Sequence, residues 1–380
     1  MPTALPAHPL PGSRQRVLIA LYWWEDRVFE GVAKVAAEHG WVLDCRMRWT
    51  HSAQAFAQWR GDGIIANPGA SRRLVPLVDL LERATVPIVG LQTFGDYRST
   101  ARVLVDHREI GRLAAEHFLA LGFRQLAFVR FADNPIERAR SEGYRETAQA
   151  AGAAFCEIPF AQLRERLAEL PLPVALWALN DVNALEVTTA CLEAGYRIPE
   201  QVAILGADDT RIVCDLAEVP LSSIDCNHER QGYEAAQLLQ RLMAGEGGAG
   251  EPILIPPTGV TSRKSTDTIA VPDLPTTQAL RLIRDRFREP LRVEEIAQQV
   301  GVSSRRLQAS FRAHLGFTMV HELARVRVEH ACTLLADPEL KLDAVAYESG
   351  FSSRFHFIRA FQRITGETPS ALRKSLLAHP

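Results

Sequence analysis

The C-terminal part of the chain contains two short stretches in which basic side chains follow a pair of serines. Guanidinium groups donate paired hydrogen bonds to guanine, and a glutamine amide pairs with adenine in the major groove of DNA. Side chains of these types on one helix face are therefore candidates for reading bases. These candidates are Arg305, Arg306, Gln308, Arg354, His356 and Arg359.

The two stretches form an internal repeat. Residues 293–318 and 342–368 both contain a short apolar segment, a glycine, two serines, basic residues, an apolar seam at helical spacing and a closing glycine. This order predicts a helix-turn-helix in each stretch. The alternative is that the arginines form only a solvated helix face, and the repeat makes this alternative less favourable.

The turn of each predicted unit is defined by glycine and serine. Gly301 and Gly350 suit the left-handed backbone conformation that a tight turn requires. Ser303 and Ser352 are predicted to cap the second helix of their units, so that the first turn of that helix points outward. Three further arginines are candidates for contacts with phosphate groups, which fix register without reading sequence. They are Arg312, Arg363 and Arg373.

The whole arrangement resembles the AraC/XylS-type DNA-binding domain over 276–376. A long amphipathic segment, 318–337, joins the two units, and the ending "GETPSALR" follows the signature of that family closely. The resemblance implies two recognition helices in successive major grooves, about 10 bp apart. Three residues depart from the family pattern, namely Ala309, Phe355 and Ile358. Phe355 and Ile358 are expected on the outer side of the second helix. There they meet thymine methyl groups or pack against the first unit.

The balance of basic and acidic residues changes sign where the predicted DNA-binding domain begins. Residues 276–380 hold 16 Lys and Arg against 11 Asp and Glu, which leaves 27 basic and 34 acidic residues in the rest. A basic tail on an acidic body favours a nucleic-acid or membrane partner for the tail.

The body of the chain alternates short apolar runs with amphipathic stretches. Examples are "RVLIALY" at 16–22, "RQLAFVRF" at 124–131 and "VAILGAD" at 202–208. Continuous apolar runs flanked by helices predict parallel sheets that are covered on both faces. About ten such strands exceed one sheet of this type, so we predict an α/β sensor of two lobes.

Three segments in the body resemble the LacI/GalR-type sensor domain, in the order and spacing of that family. They are 104–129, 178–210 and 220–266. The resemblance implies a periplasmic-binding-protein-like fold, with a hinge and a small ligand in the cleft. Arg140 falls on the arginine with which the family contacts ligand oxygens, and its donors suit vicinal hydroxyls or a carboxylate.

Polar residues follow two of the predicted strands in the region where ligands of open α/β sheets bind. Asp208 ends one strand and is predicted to accept hydrogen bonds from ligand hydroxyls. Asn180 and Asp181 end another, although Asp181 could instead cap the next helix. Asp209 is predicted to be a turn residue.

Aromatic and histidine side chains complete the candidate cleft. Trp23 and Trp24 follow the first strand, and either could stack on a sugar ring or pack into the core. Strand alternation places the two on opposite sides, so at most one of them faces a ligand. His107 follows the strand that ends at Asp106 and is either a cleft residue or a surface histidine.

Enzyme motifs are missing from the sequence. It contains no Walker A sequence, no G-x-S-x-G and no H-E-x-x-H. The six cysteines show no C-x-x-C pair, which favours reduced thiols and gives no activated nucleophile for a DNA-repair methyltransferase. We expect no enzymatic activity, no metal and no cofactor. The N-terminus lacks a signal-peptide apolar region, so the expected location is cytoplasmic.

The combination of both resemblances is similar to the xylose-responsive activators of bacteria. We predict a LacI/GalR-like sensor at 16–266, a linker at 267–277 and an AraC-type domain at 278–376, with helix-turn-helix units at about 293–313 and 342–363. The predicted function is that of a sequence-specific transcription regulator, an activator, with double-stranded DNA and a monosaccharide as partners. A homodimer and a contact with RNA polymerase are further expectations, and a membrane partner is not expected. The alternative is a DNA-binding regulator with a degenerate, ligand-independent sensor.

Overall fold

The computed structural model describes residues 14–49, 59–67, 75–92, 99–247, 250–268, 270, 273–335 and 337–377. The strands are β1 Arg16–Leu21, β2 Val42–Asp44, β3 Gly63–Asn67, β4 Ile88–Gly90, β5 Ala101–Val105, β6 Gln125–Arg130, β7 Ala154–Pro159, β8 Val174–Ala178, β9 Val202–Ala207, β10 Ser222–Asp225, β11 Ile253–Ile255 and β12 Gly259–Thr261.

The α-helices are α1 Asp26–His39, α2 Val75–Arg83, α3 His107–Ala120, α4 Pro135–Ala150, α5 Leu163–Ala168, α6 Asp181–Glu193, α7 Arg211–Asp215, α8 His228–Met243, α9 Leu274–Arg286, α10 Val293–Gln299, α11 Ser304–Leu315, α12 Met319–Leu335, α13 Leu342–Glu348, α14 Arg354–Thr365 and α15 Pro369–Leu377. Short 3-10 turns lie at Arg46–Arg48, Phe160–Gln162 and Lys264–Thr266.

The strands form two separate six-stranded sheets, one in each lobe. Lobe 1 has the order β11-β5-β4-β3-β1-β2, and its recorded pairings are parallel. Lobe 2 has the order β12-β10-β9-β8-β6-β7, with β12 antiparallel at one edge. The predicted two-lobed α/β sensor is therefore confirmed.

The chain passes between the lobes three times. It leaves lobe 1 between β5 and α3, returns between β10 and α8, and crosses again between β11 and β12. Helix α3 packs into the core of lobe 2, whereas α8 packs with α1 into the core of lobe 1. These crossovers form the hinge, and they lie beside the carboxyl ends of the parallel strands.

Two helices next to the hinge in lobe 2 pack unusually closely. Gly111 on α3 faces the carbonyl of Arg140 on α4, and Gly143 on α4 faces the carbonyl of Arg108 on α3. A Cβ atom at either glycine would overlap the backbone of the other helix. This close approach places the N-terminus of α3 directly against Arg140.

The C-terminal part of the chain is helical, as predicted, and contains two small cores. One core includes Leu307 and Phe311 of α11, and the other includes Phe357 and Phe361 of α14. Helix α12 contributes Met319 to the first core and Val328, Ala331 and Leu335 to the second. The helix therefore holds the two helix-turn-helix units at a fixed separation.

The two units differ in the length of their turns. Ser303 caps α11 as predicted, but α14 is capped by Ser353, whose side chain accepts from the amide of His356. The expectation that Ser352 is this cap was wrong. The second turn contains one more residue between its glycine and its cap, and the Ser352 hydroxyl lies 3.2 Å from Nδ1 of His356.

Among the described residues, none of the helices has the length and apolar character needed to span a lipid bilayer.

Candidate ligand cleft and nucleic-acid interface

The cleft is built on the three crossovers, which are tied together by hydrogen bonds. The amide of Asp106 donates to the carbonyl of Ile255 at 2.8 Å, which joins the first crossover to the third. The side-chain amide of Asn227 donates to the carbonyl of Pro256 at 3.2 Å, which joins the second to the third. The three crossovers are therefore joined to one another at the hinge.

Asp208 lies at the centre of a charged cluster in this cleft. Its Oδ1 is 3.3 Å from Nε2 of His228 and 3.9 Å from Nη2 of Arg140. Burial alone would raise the pKa of Asp208, but the hydrogen bond and charge of His228, together with Arg140, hold it below its ordinary value. Asp208 is thus a carboxylate and an acceptor at neutral pH.

The backbone at Asp208 is held in an unfavourable conformation. Its φ is 98°, and the next residue, Asp209, has a φ of 50°. Non-glycine residues rarely adopt positive φ angles, and they do so where the surrounding contacts fix them. Asp209 provides one such contact, because it bonds Arg263 at 2.8 Å and Thr261 at 2.8 Å. Asp209 is therefore a turn residue, as predicted.

Arg140 is almost fully buried and reaches the cleft from α4. It donates to the carbonyl of Leu179, to Nδ1 of His107 at 3.4 Å and to Sγ of Cys226 at 3.5 Å. Burial, and then the charge of Arg140, lower the pKa of His107 to about 3. His107 is therefore a neutral ring that accepts from Arg140.

Asn180 and Asp181, at the junction between β8 and α6, both bond to the protein itself. Asn180 caps α6 by accepting from the amide of Asn183, so the alternative in which Asp181 is the cap was wrong. Asp181 is 1% exposed, and its carboxylate accepts from the hydroxyl of Ser223 at 2.5 Å and from the amide of Thr210 at 2.7 Å. Both of its oxygens are occupied by the protein, a geometry that does not favour direct ligand contact for Asp181.

The two tryptophans differ in environment, although both lie after the end of β1 and not on the strand, so the predicted strand alternation does not apply to them. Trp24 is half-buried, packs against Phe29 with ring centroids 5.4 Å apart, and donates to Asp26 at 2.8 Å. Trp23 is 61% exposed. Of the two indoles, Trp23 is the one available to a ligand.

Sequence reasoning missed three residues of the cluster, namely Cys226, His228 and Gln231. Cys226 and His228 follow β10, so the rule that ligands bind beyond strand ends would have found them had it been applied to "SSIDCNH", whereas Gln231 lies further on, inside α8. Asp208, Cys226 and His228 also form the one group of potential metal ligands in the described residues. The guanidinium of Arg140 contacts both Asp208 and Cys226, which disfavours a bound cation there.

The predicted DNA-reading residues lie on two exposed helix faces. Arg305, Arg306 and Gln308 on α11, and Arg354, His356 and Arg359 on α14, are all exposed, opposite the buried seams of their helices. Arg312 and Arg363 are also exposed. Arg373 is half-buried, and its Nε and Nη2 have no hydrogen-bond partner among the described residues.

The two apolar residues that departed from the family pattern have different environments. Ile358 packs against the core of its own unit, so the expectation that it lies on the outer side of α14 was wrong. Phe355 is 64% exposed, and the guanidinium of Arg359 lies 5.9 Å from its ring centre. Phe355 therefore belongs to the exposed face that carries the predicted base readers.

The first recognition helix contacts the sensor directly. Nη2 of Arg124, just before β6, donates to the carbonyl of His314 on α11 at 2.6 Å. The ring of His314 lies 3.0 Å from the hydroxyl of Ser310, which donates to the α9 cap Asp273 at 2.9 Å. A continuous set of hydrogen bonds thus joins lobe 2, α11 and the start of α9.

Comparisons with known proteins agree with both halves of this architecture. Residues 115–266 match the periplasmic binding protein-like domain family, and residues 296–375 match a helix-turn-helix domain family. The xylose operon regulatory protein of Escherichia coli strain K12 is 24% identical over 371 residues, which cover 92% of this chain and 94% of that protein.

Two solved structures show the same fold. A xylose-binding transcription activator is 23% identical, with a TM-score of 0.58 over 96% of this chain and 99% of the other. A cellobiose complex of the regulator CelR is 24% identical, with a TM-score of 0.52 over 67% of this chain and 86% of the other. The chain is therefore a DNA-binding transcription regulator that joins a periplasmic-binding-protein-like sensor domain to a helix-turn-helix domain.

Proposed function

We propose that this protein is a transcription activator whose DNA binding is controlled by a monosaccharide, with D-xylose as the first candidate. The observation that carries the proposal is the pairing of Asp208 with Arg140 at the hinge. A carboxylate acceptor and a guanidinium donor side by side suit the vicinal hydroxyls of a sugar. The relatives, which include a xylose-binding transcription activator, support this ligand class and activation.

The proposed mechanism is closure of the lobes on the sugar. Asp208 and Arg140 belong to lobe 2, whereas Trp23 belongs to lobe 1, so a ligand that contacts both sides favours the closed arrangement. Since Arg124 of lobe 2 bonds α11, closure changes the position of the first recognition helix. We place the protein in the cytoplasm, as a homodimer, and divide it at 16–266, 267–277 and 278–376.

Calorimetric titration with a panel of pentoses and hexoses tests the ligand class. We expect heat with D-xylose or another monosaccharide, and binding weakened roughly 100-fold in Asp208→Asn, because a charge-assisted acceptor is lost. Asp79→Asn, an exposed residue on α2, is the matched control and should bind as the unchanged protein does. Silence across the panel supports the alternative, a ligand-independent regulator with a degenerate sensor.

A further inference from the structure

His228 lies between the effector-binding carboxylate and lobe 1. It is the first residue of α8, and the preceding residue, Asn227, has a φ of 62°. The backbone amide of Asn227 donates to Oδ1 of Asp225 at 2.8 Å and so stabilises this turn. This left-handed turn directs the His228 ring toward Asp208 at the second crossover.

The orientation of Gln231 is fixed by its partners in lobe 1. Its Nε2 lies 3.2 Å from the carbonyl of Leu91, just after β4, and 3.1 Å from the carbonyl of Val103 on β5. Carbonyl groups only accept hydrogen bonds, so the group between them is the amide NH2. The amide oxygen of Gln231 therefore faces the other way, toward His228.

Both nitrogens of the His228 ring face acceptors as a result. Nδ1 is 3.4 Å from the Gln231 oxygen, and Nε2 is 3.3 Å from Oδ1 of Asp208. A neutral imidazole carries a proton on one nitrogen only and would place a lone pair against an oxygen. The arrangement is therefore satisfied by the doubly protonated, cationic ring.

The surrounding charges favour the same state. Burial alone would lower the pKa of His228, but the hydrogen bond and charge of Asp208, with a further contribution from Glu25, raise it against the opposing charge of Arg27. The titratable and charged groups around the ring are Glu25 and Arg27 at α1, His107 on α3, Arg140 on α4, Asp208 after β9, and Asp225 and Cys226 at the crossover.

We propose that His228 is a positioning residue, which holds the Asp208 carboxylate for the effector and fastens it to lobe 1 through Gln231. Asp208 belongs to lobe 2, and the carbonyls that hold Gln231 belong to lobe 1. The hydrogen bonds from Asp208 through His228 and Gln231 therefore cross the hinge. Loss of one ring proton breaks one of them, which disconnects the Asp208 carboxylate from lobe 1 and weakens effector binding. This inference rests on the proposed function for its ligand.

The test compares the unchanged protein with His228→Gln in calorimetric titrations of D-xylose, or of the sugar that the panel identifies, between pH 5.5 and 9. We expect the affinity of the unchanged protein to fall about tenfold as pH rises, the scale of one charge-assisted hydrogen bond. His228→Gln should bind weakly at all pH values. His39→Gln, an exposed histidine at the end of α1, should keep the full pH dependence.

Asp181 is a neighbouring carboxyl that also titrates within the pH range of this test. The His228→Gln variant separates its effect from that of His228. Burial, and then the charge of Asp208, raise the pKa of Asp181 to about 7. If Asp181 caused the pH dependence, His228→Gln would retain it, and that result overturns the proposal. An affinity that does not change with pH in the unchanged protein overturns it equally.

The melting temperature provides a second test, which needs no sugar. It can therefore fail or succeed independently of the proposed function. Because its pKa is raised by folding, His228 stabilises the protein fully below pH 6.5, and this contribution is lost as pH rises through the folded pKa. The difference in melting temperature between the unchanged protein and His228→Gln should therefore be largest near pH 6 and vanish by pH 9. A constant difference means that the ring is only a packing element.

Discussion

Two acidic residues near the cleft come from similar sequence contexts but have different environments. Asp208 and Asp181 both follow buried strands of lobe 2, yet only Asp208 faces Arg140 and His228. Asp181 is enclosed by Ser223 and Thr210. Sequence position made both residues candidates for the ligand, whereas burial and hydrogen bonding leave Asp208 as the candidate and give Asp181 a structural role.

The buried carboxyl group of Asp181 should lower the stability of the folded protein at neutral pH. Folding raises the pKa of Asp181 to about 7, through burial first and the charge of Asp208 second. The folded state therefore binds a proton that the unfolded state has lost, and stability falls as pH rises from about 4 to about 7. We expect Asp181→Asn to flatten this dependence and to raise the free energy of unfolding at pH 8 by about 1 kcal/mol.

Denaturant unfolding at pH 5 and pH 8 measures this effect. The amide can accept from Thr210 and donate to the Ser223 hydroxyl, so it mimics the protonated acid. Asp133→Asn, an exposed residue before α4, serves as the control. If Asp181→Asn loses the same free energy at both pH values, the carboxyl is not the titrating group.

At the scale of secondary structure, arginines at different positions of the two recognition helices should have different roles: some contact bases and others contact phosphate groups. Arg305 lies in the exposed first turn of α11, whereas Arg363 lies in the last turn of α14. We expect Arg305→Ala to relax base preference at one position of the site, at a cost of about 1–3 kcal/mol there. Arg363→Ala should weaken all sequences evenly and reduce the salt slope by about one unit.

Selection of binding sites from random DNA, followed by titrations at several salt concentrations, distinguishes these outcomes. Arg164→Ala, an exposed residue on α5 in the sensor, is the control for loss of one arginine far from DNA. An even loss of affinity in Arg305→Ala, with base preference unchanged, would assign that arginine to phosphate instead.

Element types were predictable because their signals are local. Apolar runs between helices indicated the sheets, and the repeated glycine-serine pattern indicated both helix-turn-helix units. The pairing of His228 with Asp208 was not predictable, because it joins residues 20 apart in sequence through a left-handed turn at Asn227. The shift of the α14 cap to Ser353 also escaped prediction, since one extra turn residue changes no periodicity.

At the scale of the whole molecule, α3 connects the two functional regions. Its first residue, His107, bonds Arg140 in the cleft, and near its end His117 lies 3.0 Å from the hydroxyl of Thr266, in the segment that leads to α9. Burial, with the charges of Arg284 on α9 and Arg325 on α12, lowers the pKa of His117 to about 3. A rigid helix thus runs from the ligand cleft to a buried junction with the DNA-binding domain.

Arg124, which follows α3, is where this junction reaches a recognition helix, so its loss should uncouple the sites. We expect Arg124→Ala to leave sugar affinity within about twofold, because the side chain does not reach the cleft cluster. The factor by which sugar changes DNA affinity, typically 5–150-fold for coupled sites, should fall to about threefold or less. Fluorescence anisotropy with the selected DNA, with and without saturating sugar, measures this factor, and Arg164→Ala is again the control.

Coupling is reciprocal, so DNA must also lose its effect on sugar affinity in Arg124→Ala. An unchanged factor in both directions would place the coupling elsewhere, in the buried charges around Arg284 and Arg325.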